Sequence, residues 1–296
     1  MRLSLLNNNR YMWWLEKLDE NTFKKVLSVL PGSGFEKAEV VNRIRKKRRK
    51  RIIVHIPHAS LDAPDVFLRR LKIGREDFDR INVYESDYLI DTFRPDDLDC
   101  LIFPYSRMFC DVERYKDDHL EEMAIWHRRG VVYERDADKK EFVKIDHDYK
   151  RFVLSEYYDD HHRKLEEIVF KKFTSYGECL IIDLHSFSDD YERKMRTYSR
   201  YWYENPDICI GFNDYEKDRD MLLRIHMLCN QHGYTCAYNY PYKGSIVPLK
   251  YADNEDVRSV MLEINKRIYL NDELNGLDQE KSEKLREFMN EFYSTL

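Results

Sequence analysis

The sequence contains no apolar run that approaches the roughly 20 residues needed to cross a bilayer. Its first nine residues hold too short an apolar stretch for a secretion signal, and no small-residue cleavage site follows them. The six cysteines include no CxxC pair, so we expect buried free thiols in a reducing compartment. Together these features predict a cytoplasmic protein without a membrane partner.

The chain also lacks the positive charge of a general nucleic-acid binder, because its net charge is -5. One segment differs: residues 43–51 hold eight basic side chains in nine positions. Such a run can bind phosphate backbones or act as an import signal. It directly precedes the first clear strand, and a solvated helix end or linker is the stronger interpretation, so nucleic acid is an unlikely partner.

The composition is that of a globular protein with a sizeable core: 296 residues, 43% hydrophobic and 35% charged. Residues 1–50 look like a helical extension that ends in the basic run. From residue 51 onward, short apolar strands alternate with amphipathic helices, which predicts a mostly parallel sheet with helices on both faces. The predicted strands are 51–56, 100–103, 179–184, 207–211, 235–239 and 259–264. The predicted helices include 86–93, 158–174, 215–232 and 278–292, the third capped by Asn213 or Asp214.

Two of the apolar runs end in histidine. Residues 179–182 lead into Asp183 and His185, and residues 52–56 lead into His58. Open α/β proteins place their sites at the carboxyl edge of the sheet, where buried parallel strands deliver polar groups. Two histidines at strand ends therefore indicate the beginning of a metal site.

A carboxylate for such a site lies between the two histidines in the chain. Glu85 and Asp87 flank Ser86, and they could simply be acidic residues at a capped helix start. Together with His58 and His185, however, one carboxylate completes the two-histidine, one-carboxylate ligand set of hydrolytic zinc sites. These residues leave open whether Glu85 or Asp87 is the ligand.

Other charged residues could supply the remaining chemistry. Glu263 lies within the apolar run 260–264, where it would act as a general base or pair with Lys266 or Arg267. Arg107 and Arg114 follow the strand at 100–103 and could grip a carboxylate and neutralise an oxyanion. Taken singly, each arginine is typical of a surface ion pair.

Seven short motifs occur in the order seen in N-formylglutamate amidohydrolases, and the chain resembles that family over roughly residues 51–272. The resemblance implies an α/β fold similar to zinc carboxypeptidases: a three-layer α/β/α sandwich around a mixed, mostly parallel sheet. It divides the chain into the N-terminal extension 1–50 and a catalytic domain 51–296. The motifs are 57–60, 86–91, 106–114, 162–165, 182–186, 239–244 and 262–269.

The resemblance implies a zinc hydrolase that cleaves the formamide of N-formyl-L-glutamate to glutamate and formate. His58, Asp87 and His185 would be the metal ligands, with one Zn²⁺ expected per chain. Glu263 would be the general base that activates water and then protonates the leaving amine.

Further roles follow from the resemblance. By the more distant similarity to carboxypeptidases, Arg107 would stabilise the oxyanion and Arg114 would bind a substrate carboxylate. His162 would line the pocket or support it, with a surface or core histidine as the alternative. Asp183 would support the ligand His185 through a hydrogen bond.

The sequence departs from the family pattern at three places. Ala59 and Ser60 stand where a small residue and a glycine are usual, and Glu113 replaces the usual Asn beside Arg114. Residues 1–50 have no recognised counterpart. Two alternatives to the small-molecule amidohydrolase therefore stay open: a carboxypeptidase-like hydrolase of a larger peptide or acyl-amino acid, and a non-catalytic protein that binds nucleic acid or a partner through residues 43–51.

Overall fold

The computed structural model describes residues 28, 49–190, 205–213 and 218–296 of the chain. Within these residues one mixed sheet contains all six strands that the sequence predicts, with ends shifted by a few residues. The strands are β1 (Ile52–Ile56), β2 (Asp99–Ile102), β3 (Cys179–Phe187), β4 (Ile208–Gly211), β5 (Cys236–Tyr238) and β6 (Val257–Asn265). The helices are α1 (Asp65–Leu68), α2 (Arg75–Glu85), α3 (Glu122–His127), α4 (His147–Val153), α5 (Asp159–Tyr176), α6 (Arg219–Gln231) and α7 (Gln279–Thr295).

The strand order across the sheet is β2-β1-β3-β6-β4-β5. The first four strands run parallel, whereas β4 is antiparallel to β6 and parallel to β5. The carboxyl ends of the parallel strands therefore meet at one edge. Register aligns His185 of β3 with Glu263 of β6, and His55 of β1 with Asp183 of β3.

The alternation of side chains along the strands places a helical layer on each face of the sheet. On β1, Val54 belongs to the core cluster that includes α6 and α7, while Ile53 belongs to the cluster formed with α5. Ile182 and Ile181 of β3 divide between the same two clusters. This arrangement confirms the α/β sandwich expected from the sequence.

A third apolar cluster lies under the segment that follows β2. Phe109 packs edge-on against Phe67, and Phe67 packs against Phe78 and Phe142. These four side chains are fully buried. Because Phe109 belongs to residues 104–114, this cluster anchors that segment, here called the β2 loop, against the body of the protein.

Two helix predictions need correction. Residues 86–93 do not form a helix that begins at Ser86: α2 ends there, the Ser86 amide donates to the Asn82 carbonyl at 3.0 Å, and only a 3-10 turn follows over Ile90–Phe93. The third predicted helix starts later than expected, because the Asp218 side chain caps α6 by accepting from the amide of Met221 at 2.9 Å. The predicted cap Asn213 donates to the Ser245 carbonyl at 2.8 Å, and the alternative, Asp214, lies outside the described residues.

The predicted N-terminal extension lies almost entirely outside the described residues. Of the basic run, residues 49–51 are described: Arg49 pairs with Asp97, and Arg51 pairs with Glu178. Within the described part of the chain, no helix combines the length and the hydropathy needed to span a bilayer.

Candidate functional site

The two histidines predicted as metal ligands face each other at the carboxyl edge of the sheet. His58 lies in the turn after β1 and His185 lies near the end of β3, with ring centroids 5.1 Å apart and both side chains buried. Asp87 lies between them: its Oδ2 is 3.1 Å from His185 Nδ1 and 3.7 Å from His58 Nδ1. The structure thus brings together the three residues that the sequence singled out.

The turn that carries Asp87 is fixed from two directions. The Asp87 amide donates to the His58 carbonyl at 2.9 Å. The buried Lys266 ammonium donates to the carbonyls of Tyr84 at 2.9 Å and Ser86 at 2.5 Å. Burial lowers the pKa of Lys266 to about 8. Burial opposes ionisation of Asp87 as well, yet its hydrogen bonds with His185 and His58 lower its pKa overall.

Glu85, the other candidate carboxylate, is used elsewhere. It forms a buried ion pair with Arg129 and accepts from the Ala137 amide at 2.7 Å. An arginine of this kind needs a buried partner, because a lone charge in the interior is costly. Between the two carboxylates that the sequence left open, only Asp87 contacts His58 and His185 among the described residues.

Asp111 is the central anion of the β2 loop, and the sequence analysis did not identify it. Its Oδ1 is 2.8 Å from His58 Nε2, so a carboxylate backs the ring nitrogen that points away from Asp87. Carboxylates in this position fix the tautomer and orientation of metal-binding histidines. Burial opposes its ionisation, but His58, Arg107 and Arg114 hold the pKa of Asp111 well below its usual range.

Both predicted site arginines contact that same carboxylate. Asp111 Oδ2 lies 2.8 Å from Arg107 Nη2 and 3.3 Å from Arg114 Nε, and it accepts from Tyr133 Oη at 2.5 Å. Arg114 also approaches Glu121, with Nη1 to Oε1 at 3.7 Å. The spacing of Arg107, Asp111 and Arg114, four residues and then three, was the available signal for this cluster.

Three acidic groups surround His185. Its Nδ1 faces Asp87, while its Nε2 is 3.1 Å from both Asp183 Oδ1 and Glu113 Oε2. Burial favours the neutral ring, but the charges of Glu113 and Asp183 raise the pKa of His185 well above its usual value. Asp183 therefore lies where the sequence predicted it, beside the far nitrogen of a candidate ligand.

Glu113 does not form an ion pair with Arg114 among the described residues. Its carboxylate instead points at the histidines, with Oε2 near His185 and Oε1 3.6 Å from His55 Nδ1. The departure from the family pattern at this position thus adds an acidic group to the histidine cluster. The Ser60 departure has a separate role, since its hydroxyl donates to the Pro104 carbonyl at 2.8 Å and ties the β1 turn to the β2 loop.

Two further histidines extend the cluster, and one predicted histidine lies outside it. His55 Nδ1 is 2.8 Å from Asp183 Oδ1, and His55 Nε2 is 2.8 Å from His161 Nε2. Burial and the neighbouring histidines lower the pKa of His161 to about 2. His162, predicted as a pocket or supporting residue with a surface or core histidine as the alternative, donates to the Val112 carbonyl at 2.8 Å, and its ring lies tilted 4.3 Å from that of Tyr158.

Glu263 lies directly across from His185 in the β3–β6 ladder and is buried. Burial, with help from Asp87 and Glu113, raises its pKa to about 8 against the opposing effect of His185 and Arg107. The alternative prediction for Glu263 was an ion pair with Lys266 or Arg267. Lys266 instead binds backbone carbonyls, and Arg267 pairs with Asp189 and Asp207.

The site has the donors and the charge that suit a divalent cation. Among the described residues, three buried polar atoms of the cluster lack a hydrogen-bond partner: His58 Nδ1, Glu113 Oε1 and Glu263 Oε2. Buried polar groups normally have hydrogen-bond partners, so unpaired nitrogen and oxygen atoms that lie close together indicate a ligand site. Imidazole nitrogens and carboxylate oxygens are the donors that Zn²⁺ takes in hydrolytic sites.

Comparison with known proteins agrees with the fold and identifies the family. The family model for N-formylglutamate amidohydrolase matches residues 50–270, more than half of the chain. The crystal structure of N-formylglutamate amidohydrolase from Ralstonia eutropha JMP134 superposes with a TM-score of 0.71 at 18% identity, covering 83% of this chain and 92% of that one.

A gene product of Agrobacterium tumefaciens gives a TM-score of 0.58 at 14% identity, covering 84% and 93% of the two chains. No curated protein matches the sequence. At such low identities the structural likeness shows the fold alone, whereas the family model rests on the sequence itself. The chain belongs to the N-formylglutamate amidohydrolase family.

Proposed function

We propose that this protein is a zinc-dependent amidohydrolase that removes the acyl group from a small N-acyl amino acid, N-formyl-L-glutamate or a close relative. The observation that carries the proposal is the convergence of His58, Asp87 and His185 at the carboxyl edge of the sheet, with Glu263 beside them. Family membership supports a hydrolase of linear amides.

In this proposal His58, Asp87 and His185 hold one zinc ion per chain. A bound zinc ion supplies a water of pKa about 7 and polarises the scissile carbonyl. Asp111 contacts His58 and Asp183 contacts His185, and these contacts fix the orientation of each ligand ring.

Glu263 takes the proton from the attacking water and returns it to the departing amine. In the metal-free protein burial raises the pKa of this carboxyl, and the positive charge of a bound zinc ion would favour the ionised form that accepts the proton. Its position across from His185 in the ladder fixes the carboxylate next to the reacting centre.

Arg107 stabilises the oxyanion that forms on the attacked carbonyl, and Arg114 binds a substrate carboxylate. Asp111 holds both side chains at the site before substrate arrives. Glu113 points at His185 and His55, so Arg114 pairs with Asp111 and approaches Glu121 instead, and a substrate carboxylate would share its guanidinium with them. We assign His162 to support of the β2 loop through the Val112 carbonyl.

The test measures the free amine that the zinc-loaded protein releases, and identifies the formate, acetate or C-terminal amino acid formed with it, from N-formyl-L-glutamate, N-formyl-L-lysine, N-acetyl-L-glutamate and a formylated peptide. We expect the formylglutamate reaction to be fastest and to disappear in His58→Ala and His185→Ala, which should also lose the zinc. His147→Ala, at an exposed position, is the matched control and should keep both.

Two outcomes would contradict the proposal. Full zinc content in both histidine variants would remove the ligand assignment. Faster turnover of the peptide than of any single amino acid would favour the carboxypeptidase-like alternative.

A further inference from the structure

A second set of metal-ligating side chains lies directly beside the first. His55 Nδ1 is 2.8 Å from Asp183 Oδ1 and 3.6 Å from Glu113 Oε1, so one nitrogen and two carboxylates converge at a point. His55 and Asp183 are almost completely buried. A buried cluster of this composition matches the nitrogen and oxygen donors that bind divalent transition metals.

Glu113 belongs to both sets. Its Oε2 lies 3.1 Å from His185 Nε2, and its Oε1 lies 3.6 Å from His55 Nδ1. Glu113 Oε1 is also one of the buried atoms for which the described residues provide no hydrogen-bond partner. A carboxylate has two oxygens that can each bind a cation, so one side chain can serve two adjacent ions.

His55 has the support that a metal-binding histidine needs on its other nitrogen. His55 Nε2 lies 2.8 Å from His161 Nε2, and a ligating histidine usually donates its second ring N–H to a nearby acceptor. In the tautomer that donates Nε2–H to His161, the Nδ1 lone pair of His55 faces the carboxylates of Asp183 and Glu113. A divalent cation there would take the place of the Nδ1 proton that otherwise joins His55 to Asp183.

We propose that His55, Asp183 and Glu113 form a second divalent-cation site, adjacent to the one formed by His58, Asp87 and His185, with the Glu113 carboxylate bridging the two. The proposal rests on the proposed function only in taking the first site as metal-binding. Two-metal hydrolase sites hold their ions about 3.5–4 Å apart, a span that a bridging carboxylate can cover. Asp183 has a second oxygen, so it can bind the second ion and still support His185.

Titration of the chelator-treated full-length protein with Zn²⁺ tests this, with bound metal counted after desalting and binding followed by calorimetry. We expect two equivalents in the wild type and one in either His55→Asn or Glu113→Gln, with the tighter site retained. Glu113→Gln preserves shape at a partly exposed position, so it covers the case in which the His55 variant fails to fold. His147→Asn, at an exposed histidine, should keep two.

Loading with Mn²⁺ gives an independent readout of the bridge. The wild type should show a spin-coupled electron paramagnetic resonance spectrum, and Glu113→Gln should show only the isolated-ion spectrum. A wild type that saturates at one equivalent, with His55→Asn merely weakening that equivalent by about 10–100-fold, would overturn the second site and leave the proposed function intact. Binding of no metal at all would overturn both.

Discussion

The two sides of the site are held in place by different physical means. On the sheet side, Asp183, His185 and Glu263 project from neighbouring parallel strands, and the backbone ladder sets their spacing. On the loop side, the β2 loop contributes Arg107 and Arg114, and the ion pairs to Asp111 set their positions.

This difference predicts how many other site residues a substitution disturbs. A strand-borne side chain can be changed while the hydrogen bonds of the ladder stay intact, so the effect should stay local. Asp111 contacts His58, two arginines and Tyr133 at once. Its loss should therefore disturb the metal ligand His58, the oxyanion-stabilising Arg107 and the β2 loop together. Substitutions on the sheet side and on the loop side should therefore differ in how many properties of the site they change.

Glu263→Gln tests the sheet side and should have the largest effect on rate. The amide keeps the shape of the side chain but cannot accept the proton, so kcat should fall by on the order of 10²-fold or more. Zinc content and the urea midpoint at pH 7 should not fall. Near wild-type turnover would remove Glu263 from the mechanism, and loss of zinc would show that the sheet side is not local.

Asp111→Asn tests the loop side. We expect zinc affinity to fall by about 10–100-fold, because His58 Nε2 loses its charged partner. Since Arg107 and Arg114 also lose their shared counter-charge, the urea midpoint should fall, unlike in Glu263→Gln. Asp148→Asn, at an exposed ion pair, is the control and should change neither quantity. Retention of affinity and midpoint in Asp111→Asn would show that the two sides do not differ.

The same division explains what could be predicted from the sequence. His185 follows from an apolar run that ends in polar residues and Glu263 from a carboxylate inside such a run, because buried strands carry both patterns and parallel strands end at a shared edge. The strand pattern alone cannot reveal that His55 pairs with Asp183, since that contact depends on which strands are neighbours.

Loop contacts were harder to predict because their partners are distant in the chain. Glu85 and Asp87 are equally good ligands by composition, and only the position of Arg129 in the fold separates them. Asp111 appeared as one acid between two arginines, and its contact with His58 depends on how the β1 turn packs on the β2 loop. Glu113 is adjacent to Arg114 in the sequence, but its side chain points at His185 and His55.

The buried Glu263 carboxyl also predicts a pH dependence of stability in the metal-free protein. Burial raises its pKa from 4.5 to about 8 in the folded state. Between those values the folded protein holds a proton that the unfolded chain releases, so rising pH destabilises the fold by up to about 1.4 kcal/mol per pH unit. Glu263→Gln cannot titrate, and its stability advantage over the wild type should therefore grow from pH 5 to pH 8. Urea unfolding of both proteins in chelator at each pH measures that difference. A difference that stays constant across the range would mean that the Glu263 carboxyl is ionised in the fold, and that the sheet side holds its charge as readily as Asp111 does on the loop side.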